Sequence, residues 1–261
     1  MPTQMPALPI ARCHPHTPRP SLRDPDIHVR IAATADDYEV AFRLAYDVYY
    51  PLGYTAHHPD GWRVSSYQLR PSAFVLIAYR DSEPVGTLTL YADDPEGLPG
   101  DEGWRDDLDG LRAGGHRLFE CGTLVVPPGG DEAGMPLICF AMFRYALALG
   151  LRTPQACFCS FVQRRHVPFY QQALCHRRFG QARHYAWNGL DIPDVTPLLL
   201  HLPEAEGEFR ARYGAFFDRE CEQISARIDA DLRRRQALDF AGLRLRFPQS
   251  PLMRLAEDAL C

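Results

Sequence analysis

The sequence predicts an α/β (α+β) domain, a mixed sheet with helices on both faces, followed by a helical C-terminal extension. Three observations carry this. Between residues 28 and 203, short runs with period-two alternation interleave with runs of helical period. Met135 to Leu149 is apolar nearly all round, as a helix buried against a sheet must be. From Glu204 onward the chain turns charged and helical in pattern.

Each element has its own signal. His28 to Ala33 alternates like a strand. Asp36 to Tyr50 reads as a helix, with Thr34 or Asp36 as its cap and Val40, Leu44 and Val48 on one stripe. A polar loop rich in histidine, proline and glycine runs from Gly53 to Pro71. Phe74–Tyr79 and Val85–Tyr91 flank Asp81-Ser82-Glu83-Pro84, which suggests a hairpin. Asp93 to Gly115 is a long insertion with room for a short helix. Leu118 to Val126 is a strand, and the turn Pro127-Pro128-Gly129-Gly130 leads into the buried helix. Ala156–Val162, Gln181–Trp187 and Thr196–Leu202 are the remaining strands. Between the first two of these lie the amphipathic segment His166–Leu174 and a basic turn ending in Phe179-Gly180. In the extension, Phe209, Tyr213, Phe216 and Phe217 share a stripe.

Composition bounds the partners. A chain of 261 residues suits one good-sized domain with additions, or at most two small ones. Residues 1–27 are crowded with proline and lack an apolar signal-peptide core, so they are expected to form a disordered tail. The domain is expected over 28–203 and the helical extension over 204–261. No run approaches the ~20 apolar residues of a membrane helix, and a cytoplasmic location is the default expectation. All 28 basic side chains are arginine, which excludes Schiff-base lysine chemistry and the P-loop lysine. A net charge of −5 argues against nucleic acid as a partner. The eight cysteines have no metal-motif spacing. Cys157 and Cys159 alternate on a strand as small apolar fillers. A zinc site from Cys157, Cys159 and a histidine such as His166 satisfies the residue types, but no metal centre is assigned.

Two places hold candidate chemistry. Alternation puts Glu120 on one strand face with Leu118, Gly122, Leu124 and Val126. A carboxylate among such neighbours has a raised pKa and accepts a proton near neutrality, unless Arg117 or Arg43 neutralises it. His166 and Tyr170, four residues apart, project from one face near a helix start. Tyr170 either donates a proton into a cleft at the strand ends or packs in the core with its hydroxyl bonded. Arg164-Arg165 and Arg177-Arg178 flank this segment.

Four segments resemble the GCN5-related N-acetyltransferase (GNAT) superfamily, and within it the N-acyl amino acid synthases and their acyl-homoserine-lactone synthase relatives. They are Arg43 to Tyr50, Val85 to Leu90, Leu118 to Val126, and Arg165 to Tyr170. The resemblance implies a mostly antiparallel sheet and an N-acyltransferase. Its implied catalytic residues are Glu120, deprotonating the acceptor amine, and Tyr170, protonating the departing thiolate. Main-chain groups at Leu124, Val125 and Val126 would hold the pantetheine arm, and the glycine turn at Gly129 and Gly130 its phosphate. That turn lacks the superfamily's arginine and carries Asp131 and Glu132, which disfavours coenzyme A and suits an acyl carrier protein. The arginines 164, 165, 177 and 178 would then dock the carrier. For an amino acid acceptor, Arg43 is the candidate carboxylate fork, with Arg70 in reserve and His166 orienting. The family's Glu-x-x-Arg-Leu pattern has Thr123 at the arginine position, so the acceptor differs or another arginine replaces it. No resident cofactor is expected, only an acyl-phosphopantetheine or acyl-coenzyme A co-substrate. An acetyl-coenzyme A-dependent N-acetyltransferase and a non-catalytic carrier-binding protein remain alternatives. The aromatic stripe of the extension suits a sheet-edge cover, a lid on an acyl tunnel or a dimer contact.

Overall fold

The computed structural model describes residues 27–128, 134–187, 190–213 and 215–248. The N-terminal tail and the glycine turn at Gly129 and Gly130 lie outside them. The strands are β1 (Ile27–Ile31), β2 (Ala73–Arg80), β3 (Glu83–Ala92), β4 (Arg117–Val125), β5 (Ala156–Gln163), β6 (Arg177–Arg178), β7 (Arg183–Trp187) and β8 (Leu190–His201). The helices are α1 (Ala35–Tyr49), α2 (Asp101–Ala113), α3 (Gly134–Gly150), α4 (Val167–Ala173), α5 (Leu202–Tyr213), α6 (Ala215–Arg235) and α7 (Phe240–Arg246). One sheet runs β1-β2-β3-β4-β5-β8-β6, with β7 also pairing β8. Every pairing is antiparallel except β4 with β5.

The cap of α1 is Thr34, whose side chain accepts from Asp37 N–H while the Asp37 carboxylate accepts from Thr34 N–H, a reciprocal capping box. Its buried face is Tyr38, Ala41, Phe42, Ala45 and Val48, whereas Val40 and Leu44 of the expected stripe are only half-buried. The alanines let the helix lie close to the sheet. The β2–β3 link is tighter than expected. Asp81 and Ser82 alone turn the chain, both at positive φ (49° and 71°), and Glu83 and Pro84 join the strand. A two-residue turn of that handedness matches the twist of its strands.

The insertion is packed structure. Trp104, where α2 departs from helical geometry, is fully buried and stacks on Phe161 at 4.6 Å. Its indole N–H donates to the Gln181 carbonyl at 3.1 Å. Arg112 ties the helix down through Asp93, Asp101 and Asp109. At the far edge, β8 begins six residues before the expected strand, and β6 replaces part of the basic turn. Two exposed arginines carry no apolar alternation, which is why that edge strand had no signal.

Helices cover both faces. On one face α3 crosses β1, β2, β3 and β5, with α4 and α6 beside it, and on the other lie α1 and α2. The extension belongs to the same body. Leu202, Ala205, Ile224 and Ile228 enter the main core, and the buried Asp231 accepts from Ile31 N–H and the Tyr145 hydroxyl. Phe247, beyond α7, meets Phe42 and Trp62 edge-on at 5.1 and 4.8 Å. Of the aromatic stripe, Phe209 packs on the main core; the side chains of Tyr213, Phe216 and Phe217 lie outside the described residues.

Candidate functional site

The parallel pairing of β4 and β5 ends early. Arg117 to Glu120 pair with Ala156 to Cys159, and beyond that β5 pairs only with β8. The two strands part, and unpaired backbone edges open a wedge there. A cavity of about 360 Å³ occupies it, lined among others by Glu120, Thr123, Arg63, Tyr49, His166 and Tyr170.

Glu120 sits where the pairing ends, 7% exposed. Its Oε2 accepts from Gly100 N–H at 2.7 Å, a donor delivered by the loop before α2. No arginine pairs with it among the described residues. Burial pushes its pKa up to about 8; the Gly100 bond partly offsets this, and Asp101 and Glu102 add to it. The side chain therefore holds or releases a proton near neutral pH.

Three residues further on, β4 bulges. Gly122 pairs with Thr89 and Val125 with Thr87, so Thr123 and Leu124 together face a single residue of β3. Thr123 has φ +49°, a left-handed conformation that a β-branched residue adopts at a cost of about 1–3 kcal/mol. The extra residue re-phases the strand. Val125 takes the side of Glu120 and packs with Ala45 and Val48, while Leu124 and Val126 turn to the α3 face, contrary to simple alternation. The Leu124 carbonyl accepts from the Tyr49 hydroxyl at 3.0 Å.

Arg63 was not anticipated. Its guanidinium donates to Thr123 Oγ1 at 3.1 Å and lies over the Tyr49 ring at 4.7 Å. The Tyr91 hydroxyl is 3.3 Å from the same Oγ1. Burial lowers the arginine's pKa, yet it remains a cation. A second arginine thus brings its charge to the position where the family strand carries one. Arg63 stands in an aperiodic loop, and its only sequence signal is the missing arginine at Thr123.

Tyr170, on α4, is buried against Phe143 and His176 with ring centroids at 5.8 and 5.2 Å. It lines the cavity, and its hydroxyl makes no hydrogen bond among the described residues. Burial pushes that hydroxyl well above its ordinary pKa. His166 is the N-cap residue of α4 but makes no side-chain cap bond. Its Nε2 accepts from Arg165 Nε at 3.3 Å, and burial with the Arg165 charge lowers its pKa to about 4. It is neutral near pH 7.

The remaining candidates lie elsewhere. Arg43 projects from the outer side of α1, 52% exposed, and pairs with Glu39 at 2.8 Å. A helix face pointing away from the sheet cannot reach the wedge. Arg70 is held by Asp94, Glu96 and the Gly97 carbonyl, also away from the cavity lining. Arg164 and Arg165 stand between the cavity-lining Gln163 and His166. Arg177 and Arg178 line a different cavity at the other end of β5. The two pairs do not share one site.

The sequence profile of a family described as N-acyl amino acid synthase FeeM matches residues 40–192. Among solved structures, FeeM, an N-acyl amino acid synthase from uncultured soil microbes, has a TM-score of 0.61 at 22% identity, covering 72% of this chain and 96% of that one. A CoA-dependent acyl-homoserine lactone synthase, BjaI, solved with SAM and isopentyl-CoA, has a TM-score of 0.52 at 16% identity, covering 72% and 89%. A search of curated proteins finds no match. With a GNAT sheet, a wedge between its parallel strands and a profile match across more than half its length, the chain belongs to the FeeM family of N-acyl amino acid synthases and is an acyltransferase.

Proposed function

We propose that this acyltransferase moves a long-chain acyl group from acyl carrier protein to the amine of an amino acid. The observation that carries the reading is Glu120, a buried carboxylate at the strand wedge that no arginine neutralises among the described residues, with the Arg63 cation lining the same cavity. The first suits an amine that must lose a proton, and the second suits a carboxylate on the same acceptor.

Glu120 takes one proton from the acceptor's neutral amine as it attacks; an acceptor that arrives as an ammonium first releases its extra proton to solvent. The nitrogen attacks the thioester carbonyl, and collapse of the tetrahedral intermediate breaks the carbon–sulfur bond. The leaving thiolate takes up one proton, balancing the one lost by the amine on forming the amide. Main chain at Leu124, Val125 and Val126, along the open side of β4, holds the pantetheine arm and polarises the carbonyl. Tyr170 faces the sulfur. Its high pKa makes it a weak acid, so its role is a hydrogen bond to the developing thiolate, with the proton relayed from Glu120 through solvent.

The acidic pair Asp131-Glu132 disfavours a free coenzyme A diphosphate, and the exposed Arg164 with Arg165 offers a landing point for an acidic carrier beside the cavity. The BjaI complex with isopentyl-CoA keeps coenzyme A as the second reading. Both are tested together. The protein is incubated with mixed amino acids and either palmitoyl-carrier protein or palmitoyl-CoA, and products are read by mass spectrometry. N-palmitoyl amino acids from the carrier at higher kcat/KM than from the CoA ester support the proposal. Product from the CoA ester alone overturns the donor, and no product with either overturns the reaction.

A further inference from the structure

A second cavity, of about 320 Å³, opens at the opposite end of β5 from the strand wedge. His116 precedes β4, Cys157 is in β5 and His201 ends β8. Donor atoms from all three lie within 4.8 Å of one another. They come from widely separated positions and are brought together by the parallel β4–β5 register and the antiparallel β5–β8 register, in which Cys157 faces His201 directly. The imidazoles meet edge-on at 5.3 Å. His116 Nδ1 and both ring nitrogens of His201 are shielded from solvent, yet none makes a hydrogen bond among the described residues. Shielded nitrogens without partners call for a ligand that the protein itself does not supply. Glu204, in the first turn of α5, brings Oε1 to 3.3 Å from His201 Nδ1, outside hydrogen-bond geometry.

We propose that His116, Cys157 and His201, with the Glu204 carboxylate, bind a zinc ion that fastens α5 to the sheet. A thiolate with two imidazoles selects a borderline-soft ion and excludes calcium or magnesium, which require oxygen ligands. Tetrahedral ligation at ordinary zinc distances sets donors about 3.3–3.7 Å apart, so the cluster contracts by about 1 Å on binding. One thiolate leaves a divalent ion with residual positive charge, and Glu204 neutralises it. Arg177, largely in solvent, pairs with Glu204 at 3.7 Å and Glu208 at 3.0 Å and yields the carboxylate by swinging to Glu208. Neither Cys159 nor His166 takes part: Cys159 is not in the cluster, and His166 lines the other cavity.

The test is cobalt titration of the reduced, chelator-treated full-length protein. One equivalent is expected to bind, giving a thiolate-to-cobalt charge-transfer band and the visible bands of a tetrahedral site, both abolished by equimolar zinc. Zinc should raise the melting temperature with the logarithm of its concentration. Cys157→Ser should remove the charge-transfer band while Cys159→Ser keeps it, and Glu204→Gln should weaken binding about 10–100-fold. If Cys157→Ser does not fold, the wild-type stoichiometry and band still decide. Absence of a thiolate band in the wild type, or one that survives Cys157→Ser in folded protein, overturns the proposal, as does binding of several equivalents without saturation.

Discussion

The chemistry proposed for the cavity rests on single side chains. Glu120→Gln should lower kcat by about 10²–10⁴-fold while leaving donor affinity nearly unchanged, read from turnover and from binding of an unreactive acyl carrier. In the wild type kcat/KM should rise with pH and level off above about 8, where Glu120 is ionised. His166, at about 4, is uncharged across that range and adds no limb near neutrality. Stability should move the opposite way. The folded pKa of Glu120 exceeds its ordinary 4.5, so between about 4.5 and 8 the unfolded chain loses a proton that the native state keeps, and stability falls as pH rises. Glu120→Gln removes that loss, and its advantage in melting temperature over the wild type should grow across this window. Arg63→Gln should raise the acceptor's KM about 10–100-fold, the worth of one charged hydrogen bond, and leave the donor's KM alone. An equal rise in both would remove Arg63 from the acceptor site. Glu120 was legible because a strand places it by parity alone. Arg63 was not, because a loop residue acquires its neighbours only when the chain closes on itself.

At the level of elements, the site depends on a loop meeting a strand. A Cβ on Gly100 would fall 2.1 Å from the Phe161 ring, which is itself stacked on Trp104. Gly100→Ala should therefore displace the loop, cost about 1–3 kcal/mol in denaturant unfolding and loosen the N–H that Glu120 accepts. Losing that donor raises the carboxylate's pKa further, so the pH–rate limb should shift to higher pH; an unshifted limb would mean that the bond does not tune Glu120. The insertion, of which the sequence promised only room for a short helix, is thus what positions the carboxylate. Its acidic residues were visible, but that three of them converge on Arg112 was not, since ion pairs carry no periodicity. The bulge at Thr123 is the same kind of case. Alternation extrapolates a regular strand, and one extra residue inverts every assignment after it.

Across the whole molecule, the extension is joined to the sheet by a buried acid. Asp231→Ala leaves Ile31 N–H and the Tyr145 hydroxyl without their shared acceptor and should destabilise by about 2–4 kcal/mol in urea. Asp231→Asn, which still presents an oxygen, should cost less. Both should keep near-normal turnover below the unfolding transition, because the proposed site stands on β4, β5 and α4. If loss of this anchor melts only the extension, the transition should split in two, whereas one cooperative transition marks a single folding unit.

Period-two and helical patterns by themselves determined the order of elements apart from the edge strand β6, the buried helix α3, the strand carrying Glu120 and the helix carrying Tyr170. All of these follow from local periodicity and apolar content. Only the tertiary structure decided that β4 and β5 part just after Glu120, that Arg63 reaches Thr123, that Arg43 faces solvent, and that His116, Cys157 and His201 meet. The physical reason is the same in each case. Local sequence sets which way a side chain points along its own element, but register, bulges and loop closure set what it meets.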